Sequence, residues 1–201
     1  MELHLIRHPR PDVAPGICYG QTDVGLAECP ATVADRLRPL LPESFALHAS
    51  PLSRARLLAE ALGKPRLDDR LKEIHFGDWE GRSFDDIGAA IDDWAADPLG
   101  FRAPGGESPR EMAARVLAWL AEQGNRGQTP ISSEIGEIGV CPLFRHPEHL
   151  VVVAHGGPLR AIAGHLLGMP PERWLGLDFG CGQVTRIDVE SWGVVLKWFN
   201  R

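Results

Sequence analysis

The segment Leu150-Val151-Val152-Val153-Ala154 restricts the possible folds of this chain more than any other. Five apolar residues in a row, three of them β-branched, leave no polar face to turn toward water. Such a run suits a strand of a parallel sheet that is covered on both faces. It stops abruptly at His155-Gly156-Gly157-Pro158, and the apolar spacing that follows predicts a helix through Leu166. The start of the chain repeats the layout in shorter form, with Leu3-His4-Leu5-Ile6 running into Arg7-His8-Pro9. A third apolar stretch, Phe45 to Ser50, meets Pro51, which suits the first turn of a helix from about Leu52 to Leu62. Strands alternating with helices predict an α/β protein, a three-layer α/β/α sandwich with a mostly parallel central sheet.

The remaining segments fill in this frame. Val33, Leu37, Leu40 and Leu41 recur at helical spacing, and a further helix is expected from Phe84 to Ala95. Ser108 and Glu111 have the spacing of a capping box at the head of a helix reaching about Glu122. Residues 9–25 and 66–82 read as loops, the first with three prolines and three glycines. From Leu175 to Phe199 the pattern predicts two strands around a turn near Ser191-Trp192-Gly193, with Trp192 and Trp198 in core packing and an exposed apolar terminal hairpin as the alternative. The 201 residues read as one domain, 1–201, interrupted by a glycine- and proline-bearing segment at 124–148. That segment reads as a flexible insertion, with a lid over the pocket as the alternative.

Charge narrows the partners. A net charge of −6 and a pI near 5.7 provide no global basic field, so neither nucleic acid nor a membrane surface is an expected partner. Any anionic ligand must be held by a local group of arginines. No secretory leader or bilayer-length apolar run stands out. Cys18, Cys29, Cys141 and Cys181 form no C-x-x-C pair, which fits reduced thiols in a cytoplasmic protein. The sequence leaves oligomeric state open.

Two strands that end in histidine are the chemical signal. In an open parallel sheet, ligands bind outside the carboxyl ends of the strands. His8 and His155 are therefore expected on one rim, joined by Arg54 from Ser50-Pro51-Leu52-Ser53-Arg54-Ala55. Arg54 would fall in the first turn of its helix, where an anion gains from the guanidinium and from free N–H groups together. Phosphate hydrolysis needs a nucleophile, a positive shell for the transferring oxygens and an acid for the leaving alkoxide. His8 can serve as a neutral imidazole nucleophile, and Arg7, Arg54 and His155 as the shell. Glu73 and Glu80 are both available as the acid. No metal-ligand spacing and no phosphate loop of the G-x-x-x-x-G-K-[ST] type is present, so neither a metal nor a cofactor is expected.

Five motifs taken in order carry a resemblance. Leu5-Ile6-Arg7-His8, Ser50 to Ala55, Glu73 to Gly81, Pro104-Gly105-Gly106-Glu107-Ser108 and Ala154-His155-Gly156-Gly157 together resemble the histidine phosphatase superfamily. Phe76-Gly77-x-Trp79-Glu80-Gly81 and the Pro-Gly-Gly-Glu-Ser run look most like its α-ribazole phosphatase branch. The resemblance implies a phosphohistidine on His8, phosphoryl contacts from Arg7, Arg54 and His155, and Glu73 rather than Glu80 as the acid. It also implies substrate contacts from Tyr19, Gly20 and Gly156, and leaves His75 as a packing residue.

The chain departs from the family pattern at three places. Pro9 replaces the usual glycine after Arg-His and removes an amide donor. Pro11 and Ala14 stand where small polar residues are usual. Ile74 stands where the phosphoglycerate mutases of the superfamily carry a carboxylate-binding arginine, and isoleucine cannot make that charge-assisted bond. The expected activity is hydrolysis of a small-molecule phosphate monoester, with α-ribazole 5′-phosphate as the substrate suggested by likeness. A mutase, or a phosphatase acting on phosphohistidine of a partner protein, are the alternatives.

Overall fold

In a computed structural model of the protein, residues 1–125 and 148–201 are described. Six strands form one sheet: β1 (Glu2–Arg7), β2 (Ala46–Ala49), β3 (Arg66–Leu67), β4 (His149–Ala154), β5 (Val184–Glu190) and β6 (Gly193–Trp198). Their spatial order is β3-β2-β4-β1-β5-β6. The β2–β3, β2–β4 and β1–β4 pairings are parallel, whereas β5 and β6 add an antiparallel edge. The helices are α1 (Pro30–Leu37), α2 (Ser53–Leu62), α3 (Phe84–Ile87), α4 (Ala90–Ala96), α5 (Pro109–Asn125) and α6 (Gly156–Leu166).

The period of two along each strand divides the core between two faces. Leu3, Leu5, Leu150, Val152 and Ala154 pack against Val116, Trp119 and Leu120 of α5 and against Leu159 and Ile162 of α6. Ile6, Leu47, Ala49, Val151 and Val153 pack against Val33, Ala34 and Leu37 of α1 and Ala55, Leu58, Ala59 and Leu62 of α2. Helices on both faces of the sheet make the three-layer α/β/α sandwich. The β4 run is at its centre with Leu150 to Ala154 fully buried, each large side chain contributing about 1.5–3 kcal/mol of transfer free energy.

Parallel pairing brings three strand ends together. Register matches Arg7 with Ala154 and Ala49 with Val153, so the residues leaving β1, β2 and β4 emerge on one rim. Those residues are His8, Ser50 and His155. A smaller cluster of Cys18, Trp79, Ile87 and Ala103 lies beneath the loops beside this rim, with Trp79 stacked on Phe101.

Several local expectations need correction. The helix expected from Phe84 to Ala95 is two helices, because Gly88 at φ 63 caps α3 in the left-handed region. The capping box opens α5 as expected, with Glu111 accepting from the Ser108 N–H and Ser108 Oγ accepting from the Glu111 N–H. Residues 66–82 are not wholly irregular: Arg66–Leu67 adds an edge strand, and short 3-10 turns follow. Trp192 is 76% exposed in the β5–β6 turn rather than packed, whereas Trp198 is partly buried and meets the His4 ring edge-on. Cys18, Cys29 and Cys181 are free thiols. Cys141 and most of the 124–148 segment lie outside the described residues. No helix among the described residues is long and apolar enough to cross a membrane.

Candidate active site

His8 follows β1 directly and is 1% exposed. Its Nδ1 lies 2.6 Å from the Pro9 carbonyl oxygen. A carbonyl can only accept, so Nδ1 carries the proton and Nε2 holds the lone pair. Burial, followed by Arg54 and Arg7, outweighs the Pro9 bond and pushes the His8 pKa down to about 3. The ring is therefore neutral over the ordinary pH range. Proline at position 9 removes an amide donor, and its carbonyl fixes the tautomer.

Arg54 and His155 form the other half of the constellation, and both are fully buried. Arg54 Nε donates to His155 Nδ1 at 3.2 Å, and its Nη1 and Nη2 donate to the carbonyls of Thr22 and Gly20. A guanidinium cannot accept, so the His155 proton sits on Nε2, which donates to Ser50 Oγ at 2.7 Å. Burial, then His8, Arg54 and Arg7, hold the His155 pKa well below its ordinary value. The His8 and His155 rings are 5.1 Å apart between centroids. The Tyr19 ring lies 5.1 Å from Arg54 Cζ.

Arg54 is the second residue of α2, as the sequence suggests, but the first N–H of the helix, that of Ser53, is already taken. Asp23 caps the helix, accepting from both the Ser53 N–H and the Ser53 hydroxyl, and Leu52 N donates to Ser50 Oγ. This carboxylate offsets part of the helix dipole at that end.

Glu73 enters from the loop before the 3-10 turn at Gly77–Trp79. Its carboxylate accepts from the Ile74 N–H at 2.9 Å and the Gly157 N–H at 3.2 Å. Gly157, not among the expected site residues, lies directly against this carboxylate, and a Cβ there would press on Glu73 Oε1 and displace it. Gly156 faces a different pair, Arg160 and Arg7. Glu80 is fully engaged by the backbone, accepting from the N–H groups of Gln21, Thr22 and Phe76. It clamps the loop whose carbonyls receive Arg54. His75 is nearly half exposed, 4.0 Å from Glu80, and is not a packing residue.

A cavity of about 790 Å³ opens on Arg7, Tyr19, Gly20, Glu73, Phe76 and Arg160. A second, of about 210 Å³, shares Glu73, Phe76 and Arg160 and is otherwise walled mainly by apolar groups, Ile74, Trp94, Leu99, Met112 and Trp174 among them. No group of three or more His, Cys, Asp or Glu comes together as a metal cage among the described residues.

The sequence pattern of the histidine phosphatase superfamily (branch 1) matches residues 3–130 and 143–201. The chain belongs to the histidine phosphatase superfamily. The glucosyl-3-phosphoglycerate phosphatase of Mycobacterium tuberculosis H37Rv is 32% identical over 91% of this chain and 82% of its own. A 2,3-bisphosphoglycerate-dependent phosphoglycerate mutase of Methylobacterium sp. strain 4-46 is 30% identical over 80% of this chain and 75% of its own. The crystal structure of the α-ribazole phosphatase from Shigella flexneri superposes with a TM-score of 0.82, covering 100% of this chain and 96% of that one. At 24% identity, this likeness shows the fold.

In this member of the superfamily the loop bearing Glu73 is held by a residue that sequence reasoning missed. Arg115 of α5 donates to the carbonyls of Arg70, Lys72 and Glu73 and pairs with Glu107. Glu107 in turn accepts from the His75 N–H. The available signal was the Pro-Gly-Gly-Glu-Ser run itself, whose glutamate has an arginine eight residues on. Arg160 was missed as well, although it falls one helical turn after Gly156 and so on the same face.

The buried neutral histidines make stability depend on pH. Below the ordinary value of 6.5 an unfolded chain takes up a proton at His8 that the folded chain refuses until about pH 3. Stability is therefore full above about pH 6.5 and falls through this window, by roughly 1.4 kcal/mol per pH unit for each such group. His155 adds in the same direction. Urea midpoints measured from pH 7 to 4.5 should fall steadily, and His8→Asn should flatten the slope. An equal slope in both proteins would contradict the assignment of a neutral buried ring.

Proposed function

We propose that the protein is a metal-independent phosphomonoesterase that passes the phosphoryl group of a small-molecule monoester to His8 Nε2 and then to water. The observation that carries this reading is the His8 ring, neutral, with Nδ1 committed to Pro9 and its free lone pair beside Arg54 and His155. In the first step Nε2 attacks phosphorus, the ester P–O bond breaks and Glu73 gives its proton to the departing oxygen. In the second, water attacks phosphorus and Glu73 takes the proton. The N–P bond then breaks and its electron pair returns to Nε2. Arg7 and Arg54 stabilise the equatorial oxygens, the main contribution a protein can make to phosphoryl transfer. His155 reaches an oxygen once its Nδ1 gains a proton, which an arriving dianion favours by offsetting the surrounding positive charge.

The second cavity supports a substrate class. Its apolar wall beside Glu73 suits an alcohol with an aromatic or apolar face, and Ile74 lies in that wall. α-Ribazole 5′-phosphate, whose aromatic base is such a face, fits the reading. 3-Phosphoglycerate would bring a carboxylate toward isoleucine. A panel of monoesters with chelator present is the test. The kcat/KM for α-ribazole 5′-phosphate should exceed that for 3-phosphoglycerate by about 10- to 100-fold, the scale of one missing charge-assisted hydrogen bond. Brisk interconversion of 2- and 3-phosphoglycerate would favour the mutase reading instead, and loss of activity with chelator would overturn metal independence.

A further inference from the structure

Arg160 and Arg7 are tethered by one short segment. Arg160 Nε donates to the Leu177 carbonyl at 2.8 Å, and its Nη2 lies 3.6 Å from the Asp178 carboxylate. Two residues after Leu177, the Phe179 carbonyl accepts from Arg7 Nη1 at 2.7 Å. Both guanidiniums then converge over Gly156. A Cβ on that glycine would stand 3.2 Å from Arg160 Nη1 and 3.7 Å from Arg7 Cζ. Arg160 Nη1 has no acceptor among the described residues, and Arg7 Nε is buried without one.

Two cations held this close repel each other unless an anion lies between or beside them. Glu73 is the carboxylate nearest in effect, and it opposes the fall in Arg160 pKa that burial causes. Its own oxygens, however, are bonded to Ile74 and Gly157. Arg160 also lines both cavities, where Arg7 lines only the larger. The free Nη1 therefore faces the junction between the phosphoryl side and the apolar side.

We infer that Arg160 is a further substrate-binding residue that donates through Nη1 to an oxygen of the transferred phosphoryl group, beside Arg7. Its effect on turnover rests on the phosphomonoesterase reading, but its oxyanion binding does not. Tungstate, a tetrahedral dianion, is the probe, titrated calorimetrically against the wild type, Arg160→Gln and Arg160→Lys. Arg160→Gln should raise the tungstate Kd about 10- to 100-fold, the scale of a lost charge-assisted contact. Arg160→Lys should raise it less, because lysine keeps the charge but lacks the fork that holds Leu177 and the ligand together. kcat/KM should fall by a similar factor for an aryl and an alkyl phosphate, since the contact is to the group transferred.

A tungstate Kd within twofold of wild type in folded Arg160→Gln would overturn the inference. So would a loss confined to one leaving group, or a wild type that does not bind tungstate. Should Arg160→Gln fail to fold by circular dichroism, Arg160→Lys decides, and an unchanged Kd there also overturns it. If His8→Ala retains hydrolysis, the phosphohistidine reading fails while the tungstate titration still judges Arg160.

Discussion

His8→Ala is expected to lower kcat for p-nitrophenyl phosphate by about four orders of magnitude or more, the scale on which removal of a covalent nucleophile acts. The effect is large because the attacking lone pair is that of His8 Nε2, and the other imidazole of the site cannot replace it. Both nitrogens of His155 are engaged, Nδ1 by Arg54 and Nε2 by Ser50. The Glu73 carboxylate is turned onto the Ile74 and Gly157 amides. Because His8 is buried and neutral, its removal takes away no ion pair, and the variant should remain folded at neutral pH. Circular dichroism alongside the rate measurement separates loss of the nucleophile from loss of the fold.

Arg54→Ala should be costly in both stability and rate. The guanidinium is fully buried, and three of its N–H groups are bonded to Gly20, Thr22 and His155. Its removal leaves two carbonyls and a ring nitrogen without their donors in the interior. Each buried acceptor left unsatisfied in this way costs about 1–3 kcal/mol. The loop carrying Tyr19 and Gly20 also loses its anchor, although Glu80 still clamps Gln21 and Thr22. For turnover, loss of one preorganised oxyanion donor costs about 10²- to 10³-fold. Arg54→Lys should recover little, since one ammonium cannot replace a fork aimed at three acceptors. Urea denaturation and steady-state kinetics on both variants check this. A loss under about 1 kcal/mol would mean that the three bonds matter less than their geometry implies.

The fold was legible where a single period governs a segment. The β4 run and the strand before His8 are apolar enough to demand burial on both faces, and two such strands ending in histidine place a rim. Legibility failed where one residue overrides the period. Gly88 breaks a helix whose apolar spacing continues across it, because a left-handed backbone leaves no trace in hydrophobic pattern. Trp192 shows the converse, a large apolar side chain that turn geometry keeps in solvent.

At the site, the residues expected from the motifs come together, but their partners were hidden. Asp23 and Arg115 act on backbone groups, and no spacing rule links a side chain to an N–H about thirty residues away or to carbonyls more than forty away in sequence. Gly157 carries no side-chain signal for its contact with Glu73. The tautomers of His8 and His155 depend on which partner can only accept and which can only donate. Those partners are fixed by tertiary geometry.

The central claim is covalent transfer to His8 Nε2. Rapid acid-free quenching of the enzyme during turnover, followed by peptide mass spectrometry, measures it directly. The account predicts a phosphorylated peptide containing His8 that is stable to base, labile to acid and absent from His8→Ala. Turnover with no phosphorylated enzyme at any quench time, or a phosphoryl group found on another residue, would contradict it.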